Sequence, residues 1–591
     1  MAPTENPGDT ADSAEAEAGA DGTADVAVAE PTPEESLEAK LVEPPSDWWV
    51  RRYTFFGTAV GLTFIWLSMT PSLLPRGPLF QGIVSGAAGA CGYGLGVLGV
   101  WLVRYMRSKD SSPPAPRWAW LLLIVIGIIG QVLAIIWFHV WQDEVRDMMG
   151  VSRMRFWDHP LTAVYSIVFL FGFVEIGQLI RKLVRFLVRQ LERIAPPRVS
   201  GVVAVLLVIA VSVEVFNGVV GSFAMSTINK TFAAANDEDS PDNPAPTTPL
   251  RSGGPTSLVS WSSLGRQGRI FVGNGPSIEK LSKFNGAQAI EPIRTYAGLH
   301  SAKGIRATAK VAAQELKRAG GLDRAVVAVA TTTGTGWINE AEAAALEYMY
   351  NGNTAIVSMQ YSFLPSWISF LVDKANAEEA GQDLFEEVDA LVRQMPEGKR
   401  PKLVVFGESL GSFGGEAPFQ SLNNLVARTN GALFSGPTFN NVIWTNLTRY
   451  RDAGSLEKLP IYDDGKNARF GSRPEDLNRP PDAPWDHPRV VYLQHASDPI
   501  AWWNPDLLFS KPDWLREPRG RDVSPRMEWI PVVTFLQVSA DMAVAVDVPD
   551  GHGHVYVRDV ANAWADILQP PGWTPEKTEL LRPLLHPSAG T

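Results

Sequence analysis

Five long apolar runs occupy the first 222 residues, and a different pattern follows them. They extend approximately from Tyr53 to Thr70, Gly82 to Val103, Trp118 to Phe138, Leu161 to Ile180 and Ser200 to Ser222. Each is close to the about 20 helical residues that cross a bilayer core. Beyond them the apolar runs become short: Ala325–Ala330, Thr354–Met359, Lys402–Phe406, Ala432–Ser435, Val490–Gln494 and Ala543–Val548 read as strands. Stretches of helical period lie between them, at Ala302–Arg318, Asn339–Tyr350, Glu378–Gln394 and Asp559–Leu568. Apolar strands alternating with amphipathic helices predict a mostly parallel sheet covered on both faces. The expected fold is an α-helical membrane bundle of about five spans followed by an α/β domain.

Basic residues mark alternate connections of the bundle. Arg51 and Arg52 precede the first run; Arg104, Arg107, Lys109 and Arg117 fill the second connection. The fourth holds Arg181, Lys182, Arg185, Arg189, Arg193 and Arg198, whereas the first holds only Arg76 and the third is mixed. Excess Lys and Arg stay cytoplasmic, so five spans put the N-terminus in the cytoplasm and everything after Ser222 outside. A cleavable signal peptide is not expected, because the first apolar run begins only near Tyr53. Residues 1–46, rich in Ala, Glu, Asp, Pro and Thr, read as a disordered acidic tail. The expected division continues with membrane helices over 47–230, a polar linker over 231–256, the α/β domain over 257–575 and a tail over 576–591. A long polar stretch, 436–488, interrupts the alternation where a cap over a site could be inserted.

Seven glycines between Gly82 and Gly99 predict a second helix that packs closely on its neighbours, inside the bundle or against a second copy. Glu175 and Glu214 sit inside the fourth and fifth runs. Their depths differ by on the order of 10 Å, so each is expected to bond a neighbouring helix rather than the other. The net charge of -11, with no basic stripe on a folded segment, argues against nucleic-acid binding. Cys91 is the only cysteine, which excludes intrachain disulfides and thiol-rich metal sites. No metal or organic cofactor is implied.

The strand Lys402–Phe406 runs into Gly407-Glu408-Ser409-Leu410-Gly411, a G-x-S-x-G between strand and helix. A serine hydroxyl is a weak nucleophile and has to be held exposed at a tight turn beside a base, with glycines relieving the crowding. Ser409 is the expected nucleophile. The acid and base follow in the order this motif requires: Asp498 lies after Val490–Gln494 in His495-Ala496-Ser497-Asp498-Pro499, and His552 and His554 lie in Asp550-Gly551-His552-Gly553-His554. His552 is favoured as base because the final helix begins near Arg558 and the base usually stands several residues ahead of it. His554 is the alternative. An oxyanion hole would combine the N–H of Leu410 with one from the glycine-rich loop after Ala325–Ala330, at Thr333, Gly334 or Thr335. Trp502, Trp503, Trp514 and Trp529, near the acid, could line an acyl pocket or pack a core.

These motifs, with Thr332-Thr333-Gly334-Thr335-Gly336-Trp337, resemble the actinobacterial transmembrane α/β-hydrolase family, sometimes catalogued as α/β-hydrolase family nine. The resemblance covers roughly residues 50–575 and implies a membrane-bound serine hydrolase, without a substrate. The expected activity is cleavage of lipid or other acyl esters through an acyl-enzyme, at the outer face of the cytoplasmic membrane. An acyltransferase would use the same three residues, and a non-catalytic scaffold on a hydrolase fold would not need them.

Overall fold

The structure is a computed structural model that describes residues 53–107, 115–194, 196–214, 232–238 and 243–585. The acidic tail, Arg51, Arg52, Lys109, the fifth run beyond Glu214 and residues 586–591 lie outside the described residues, as does the placement of the Glu214 side chain.

The bundle contains α1 (Phe55–Ser68), α2 (Pro78–Met106), α3 (Arg117–Met148), α4 (Asp158–Leu191) and α5 (Pro197–Glu214). Among the described residues α2, α3 and α4 are long and apolar enough to cross a membrane, three rather than the expected five. The 18 residues of α5 end where the described segment ends. Helix α1 has 14 residues, about 21 Å, short of the about 30 Å of a hydrocarbon core. It stops because Pro71, Pro75 and Pro78 cannot donate to a helical ladder, and because the chain then turns into the α/β domain. Leu73 and Leu74 are fully buried there, in one apolar cluster with Val544 and Ala545.

The glycines of α2 form two seams. A Cβ added at Gly82 or Gly86 would come within 2.3 or 2.5 Å of Tyr165 or Phe169 on α4, and one at Gly89, Gly92 or Gly96 within 2.7 Å of α1. Both seams are filled from within the same chain. Glu175 accepts a hydrogen bond from the Tyr53 hydroxyl at 2.8 Å, two residues ahead of α1.

Among the described residues the α/β domain has seven strands, all pairing in parallel: β1 (Ile293–Ala297), β2 (Val326–Thr331), β3 (Thr354–Met359), β4 (Lys402–Glu408), β5 (Gly431–Ser435), β6 (Ala468–Gly471) and β7 (Arg489–Leu493). Their order is β1-β3-β2-β4-β5-β7-β6. Alternate residues of each strand feed opposite cores. Val327 and Val329 pack with helices Ile305–Arg318 and Lys374–Arg393, while Val326, Ala328 and Ala330 pack with helices Glu340–Met349 and Asp559–Leu568. The loops after β2, β4 and β7 emerge together at the carboxyl end of the sheet, where such folds bind ligands.

Several expectations fail here. Ala543–Val548 is not a strand but a 3₁₀ turn and loop after helix Val533–Asp541; its apolar side chains meet Leu73 and Leu74 instead of a sheet neighbour. The supposed linker is tied down from residue 243. Arg251 forms a bridge to Arg294 of β1, and the Ser252 and Ser257 hydroxyls donate to the buried Glu315. The C-terminal tail begins as helix Pro575–Leu581, with Leu581 and Leu585 buried in the second core. The stretch 436–488 supplies helix Val442–Arg449 and edge strand β6 rather than a cap.

Candidate active site

The turn from β4 into helix Leu410–Glu416 holds Ser409 at φ 58, ψ -122, a conformation that side chains other than glycine rarely adopt. Its neighbours explain why the turn can be so tight. A Cβ at Gly407 would lie 2.4 Å from the Gly411 carbonyl, and one at Gly411 would lie 2.3 Å from the Thr331 carbonyl. The Ser409 N–H donates to Ser435 of β5 at 2.9 Å, and its carbonyl accepts from the Ser412 hydroxyl at 2.7 Å. The backbone is pinned while the side chain faces a cleft.

Asp498 caps the short helix after β7, its Oδ1 accepting from the Ile500 N–H at 2.8 Å. Its Oδ2 faces Nδ1 of His554 at 2.7 Å and accepts from the Tyr556 hydroxyl, also at 2.7 Å. The favoured base assignment is therefore corrected: His554, not His552, is joined to Asp498. His552 is turned away, with Nδ1 3.9 Å from Asp522. The cause is local. Gly551 and Gly553, on either side of His552, both take positive φ and reverse the chain between the two histidines. The Gly553 N–H donates to the Ser497 hydroxyl at 2.8 Å, and its carbonyl meets His495 Nδ1 at 2.9 Å. Ser497 in turn donates to Asp522 at 2.6 Å. The loop before Asp498 thus clamps the loop that carries His554.

His554 Nε2 is buried and makes no hydrogen bond among the described residues, so it is available to a hydroxyl in the cleft. Burial opposes the charged imidazolium, but the Asp498 carboxylate, by charge and hydrogen bond, and then Glu408 more than offset it, holding the His554 pKa above its ordinary value. Glu408, immediately before Ser409, lies with Oε1 3.9 Å from that Nε2 and accepts from Asn339 at 2.6 Å. Burial pushes its carboxyl up to about 7, against the opposing pull of His554 and Asn339.

Sequence reasoning did not pick out Tyr556, Glu408, Asn339, Ser497 or Asp522. The motif His495-Ala496-Ser497-Asp498 and the position of Asn339 as helix cap were the available signals. Of the proposed oxyanion donors, the Thr333 N–H is corrected: it is spent on the Trp337 carbonyl at 2.9 Å. Leu410 opens its helix, where N–H groups have no intrahelical partner. Thr333 and Thr335 line the cleft with Ser409, Glu408 and His554.

The cleft encloses about 930 Å³, toward the upper end for small-molecule sites. Of the four tryptophans near the acid, Trp503 lines it, whereas Trp502 and Trp514 are buried in the core and Trp529 packs against that core. No residue from 436–488 is among those lining it.

Two family profiles match the chain. One, described as an alpha/beta-hydrolase family, covers residues 293–581; the other, described as the N-terminus of an alpha/beta-hydrolase family, covers residues 69–276. Neither the curated proteins nor the solved structures give a match.

Proposed function

The chain belongs to α/β-hydrolase family nine, and on that footing we propose that it is a membrane-bound serine hydrolase of acyl esters, with Ser409, His554 and Asp498 as its triad. The observation that carries this reading is the bond from Asp498 to His554 beside a serine held at a strained turn in one cleft. His554 Nε2 takes the Ser409 proton as Oγ attacks the ester carbonyl, and Asp498 fixes the tautomer and balances the imidazolium. The developing oxyanion meets the Leu410 N–H and an N–H of Gly334 or Thr335. The imidazolium returns its proton to the departing alcohol. Water, deprotonated by His554, then attacks the acyl-enzyme and releases the acid and free Ser409.

The test is labelling of the full-length protein with a fluorophosphonate. Wild type should be modified at Ser409 and Ser409→Ala should not, while staying folded in the membrane. Labelling at another serine would overturn the assignment.

Lipid esters suit the cleft, which is mostly apolar and is walled in part by Phe232, Ala235 and Asn236, just before the α/β domain. The domain also rests on the bundle at the α1–α2 connection, through Arg76 with Asp541, and at the end of α3 that leads into the α3–α4 connection, through Glu144 with Arg526. The basic residues lie toward the other two connections, Arg104 and Arg107 at the end of α2 and Arg181, Lys182, Arg185 and Arg189 in the last turns of α4, which runs on through the stretch expected to be a connection. This supports a catalytic domain outside the cytoplasmic membrane with those two connections inside. Protease added to spheroplasts should remove the domain and spare Arg181–Arg198; a protected domain would reverse the orientation.

A further inference from the structure

Side chains of opposite character divide the cleft. Phe363, Phe370, Ile500, Trp503, Met542 and Val546 make one portion apolar, with Phe370 and Trp503 in ring contact at 6.1 Å. Asn236, Gln267, Thr335 and Arg266 make another portion polar. That second group is held together: Gln360 bridges Asn236 at 2.8 Å and the Thr335 carbonyl at 3.2 Å. A Cβ at Gly265, next to Arg266, would lie 2.6 Å from Asn236. Ser409 and His554 line the same cleft.

Arg266 is the one Lys or Arg among the residues lining the cleft. It is exposed and its side chain makes no hydrogen bond or ion pair among the described residues, whereas nearby Asp237 is paired with His300 at 3.4 Å. The other charged groups of the cleft, Glu408 and His554, face each other. An apolar alcohol would gain nothing from an unpaired guanidinium, which presents a fork of donors suited to a phosphate.

Resting on the hydrolase reading, we propose that the ester cleaved here carries a phosphate on its alcohol portion, read by Arg266, while its acyl chain lies on the Phe370–Trp503 portion. The substrate class is an acylated glycerophosphate or similar phosphate-bearing ester. The acyl–oxygen bond breaks, the acyl group passes to Ser409 and then to water, and the phosphate-bearing alcohol leaves with the proton from His554.

The test compares two soluble esters, butyrylglycerol phosphate and butyrylglycerol, on the full-length protein in detergent. A parallel arm compares phosphatidic acid with diacylglycerol of the same acyl chains, each dispersed in vesicles of a neutral ether lipid that offers no other ester. Wild type should favour the phosphate-bearing soluble ester in kcat/KM by about tenfold, as charge-assisted hydrogen bonds typically allow. Arg266→Gln should abolish that ratio and Arg266→Lys should restore part of it. Preference in both arms supports the proposal with a lipid as source; preference in the soluble pair alone supports it with a soluble phosphate ester. Preference in vesicles alone reports attraction to a charged surface and overturns it, as does a soluble ratio that Arg266→Gln leaves unchanged. If wild type cleaves neither soluble ester and Ser409 takes no label, the hydrolase reading itself fails; cleavage of the neutral ester without preference fails this inference alone.

Discussion

Replacing Arg76 by methionine keeps an apolar stem of similar length and removes the cation beside Asp541. Both side chains are fully buried, with Nε 3.2 Å from Oδ1, and they join the α1–α2 connection to helix Val533–Asp541. Asp541 also accepts from the Ser72 hydroxyl and from the Leu73 N–H at 3.1 Å. Burial already pushes its carboxyl above the ordinary range despite Arg76, and pushes the Arg76 guanidinium down. Without the cation the carboxyl is driven further toward its neutral form. Keeping an aspartate protonated costs about 1.4 kcal/mol for each pH unit above an unfolded pKa of about 3.9, so at most about 4 kcal/mol at pH 7, and less than that relative to wild type, whose raised Asp541 already bears part of the cost. That ceiling falls within the about 3–5 kcal/mol expected for breaking a buried pair. The penalty is absent below about pH 4 and grows as pH rises toward the folded pKa, so at pH 5 it is only about 1.5 kcal/mol. The thermal midpoint of Arg76→Met in detergent should fall by about 5 °C at pH 7, and the gap to wild type should shrink by more than half at pH 5. Adding Asp541→Asn should recover much of the loss, because no buried charge then remains. Ester turnover should fall with the midpoint, since residues 542–546 that follow Asp541 help line the cleft. A native midpoint at pH 7, or a gap equal at both pH values, would refute the reasoning.

Two further outcomes bear on the site itself. His554→Ala and Asp498→Asn should each lose orders of magnitude in turnover, and His552→Ala far less; equal losses in the two histidine variants would remove the distinction drawn from Asp498. Turnover needs neutral His554, so activity should fall as pH drops through a pKa held above the ordinary value of about 6.5. Glu408→Gln removes one of the carboxylates that raise it, so the acid limb should move to lower pH; Asp498, Glu342, Asp550 and Tyr556, which also face or couple to Glu408, stay in place. A limb that stays or moves upward would show that Glu408 does not act on the imidazole.

The central strands were legible because each is buried on both faces and so reads as an unbroken apolar run. Two edge strands were not. β1 carries Arg294, buried but matched by Glu347 and Glu340 at 2.8 Å each, and β6 carries Arg469, which is hydrogen-bonded to the Leu477 carbonyl at 2.8 Å and stacked over Trp485. A cation in a strand looks like a loop residue until the groups that receive it are known, carboxylates about 50 residues away for Arg294 and a carbonyl and an indole from the following loop for Arg469. Ala543–Val548 erred the other way: its apolar residues are buried by the α1–α2 connection, which no local pattern reveals. Ser409 and Asp498 could be read because each stands at the end of a recognisable strand. The choice between histidines could not, since it depends on two glycine φ angles and on hydrogen bonds from the loop after β7.

The docking of the first connection onto helix Val533–Asp541 also bears on how the protein is made. Ser72 and Asp541 are 469 residues apart, so at about 5–20 residues per second the loop waits about 20 to 90 s at the ribosome for its partner. Until Asp541 is made, Arg76 and two leucines have no carboxylate or core to receive them, although the helices through Glu214 are finished well before it. A late stretch of chain therefore closes an early loop, like a clasp fastened after most of the garment. A product released early, short of Asp541, would carry a bundle with an uncovered arginine and apolar patch, a form that quality-control proteases should remove faster than the finished protein.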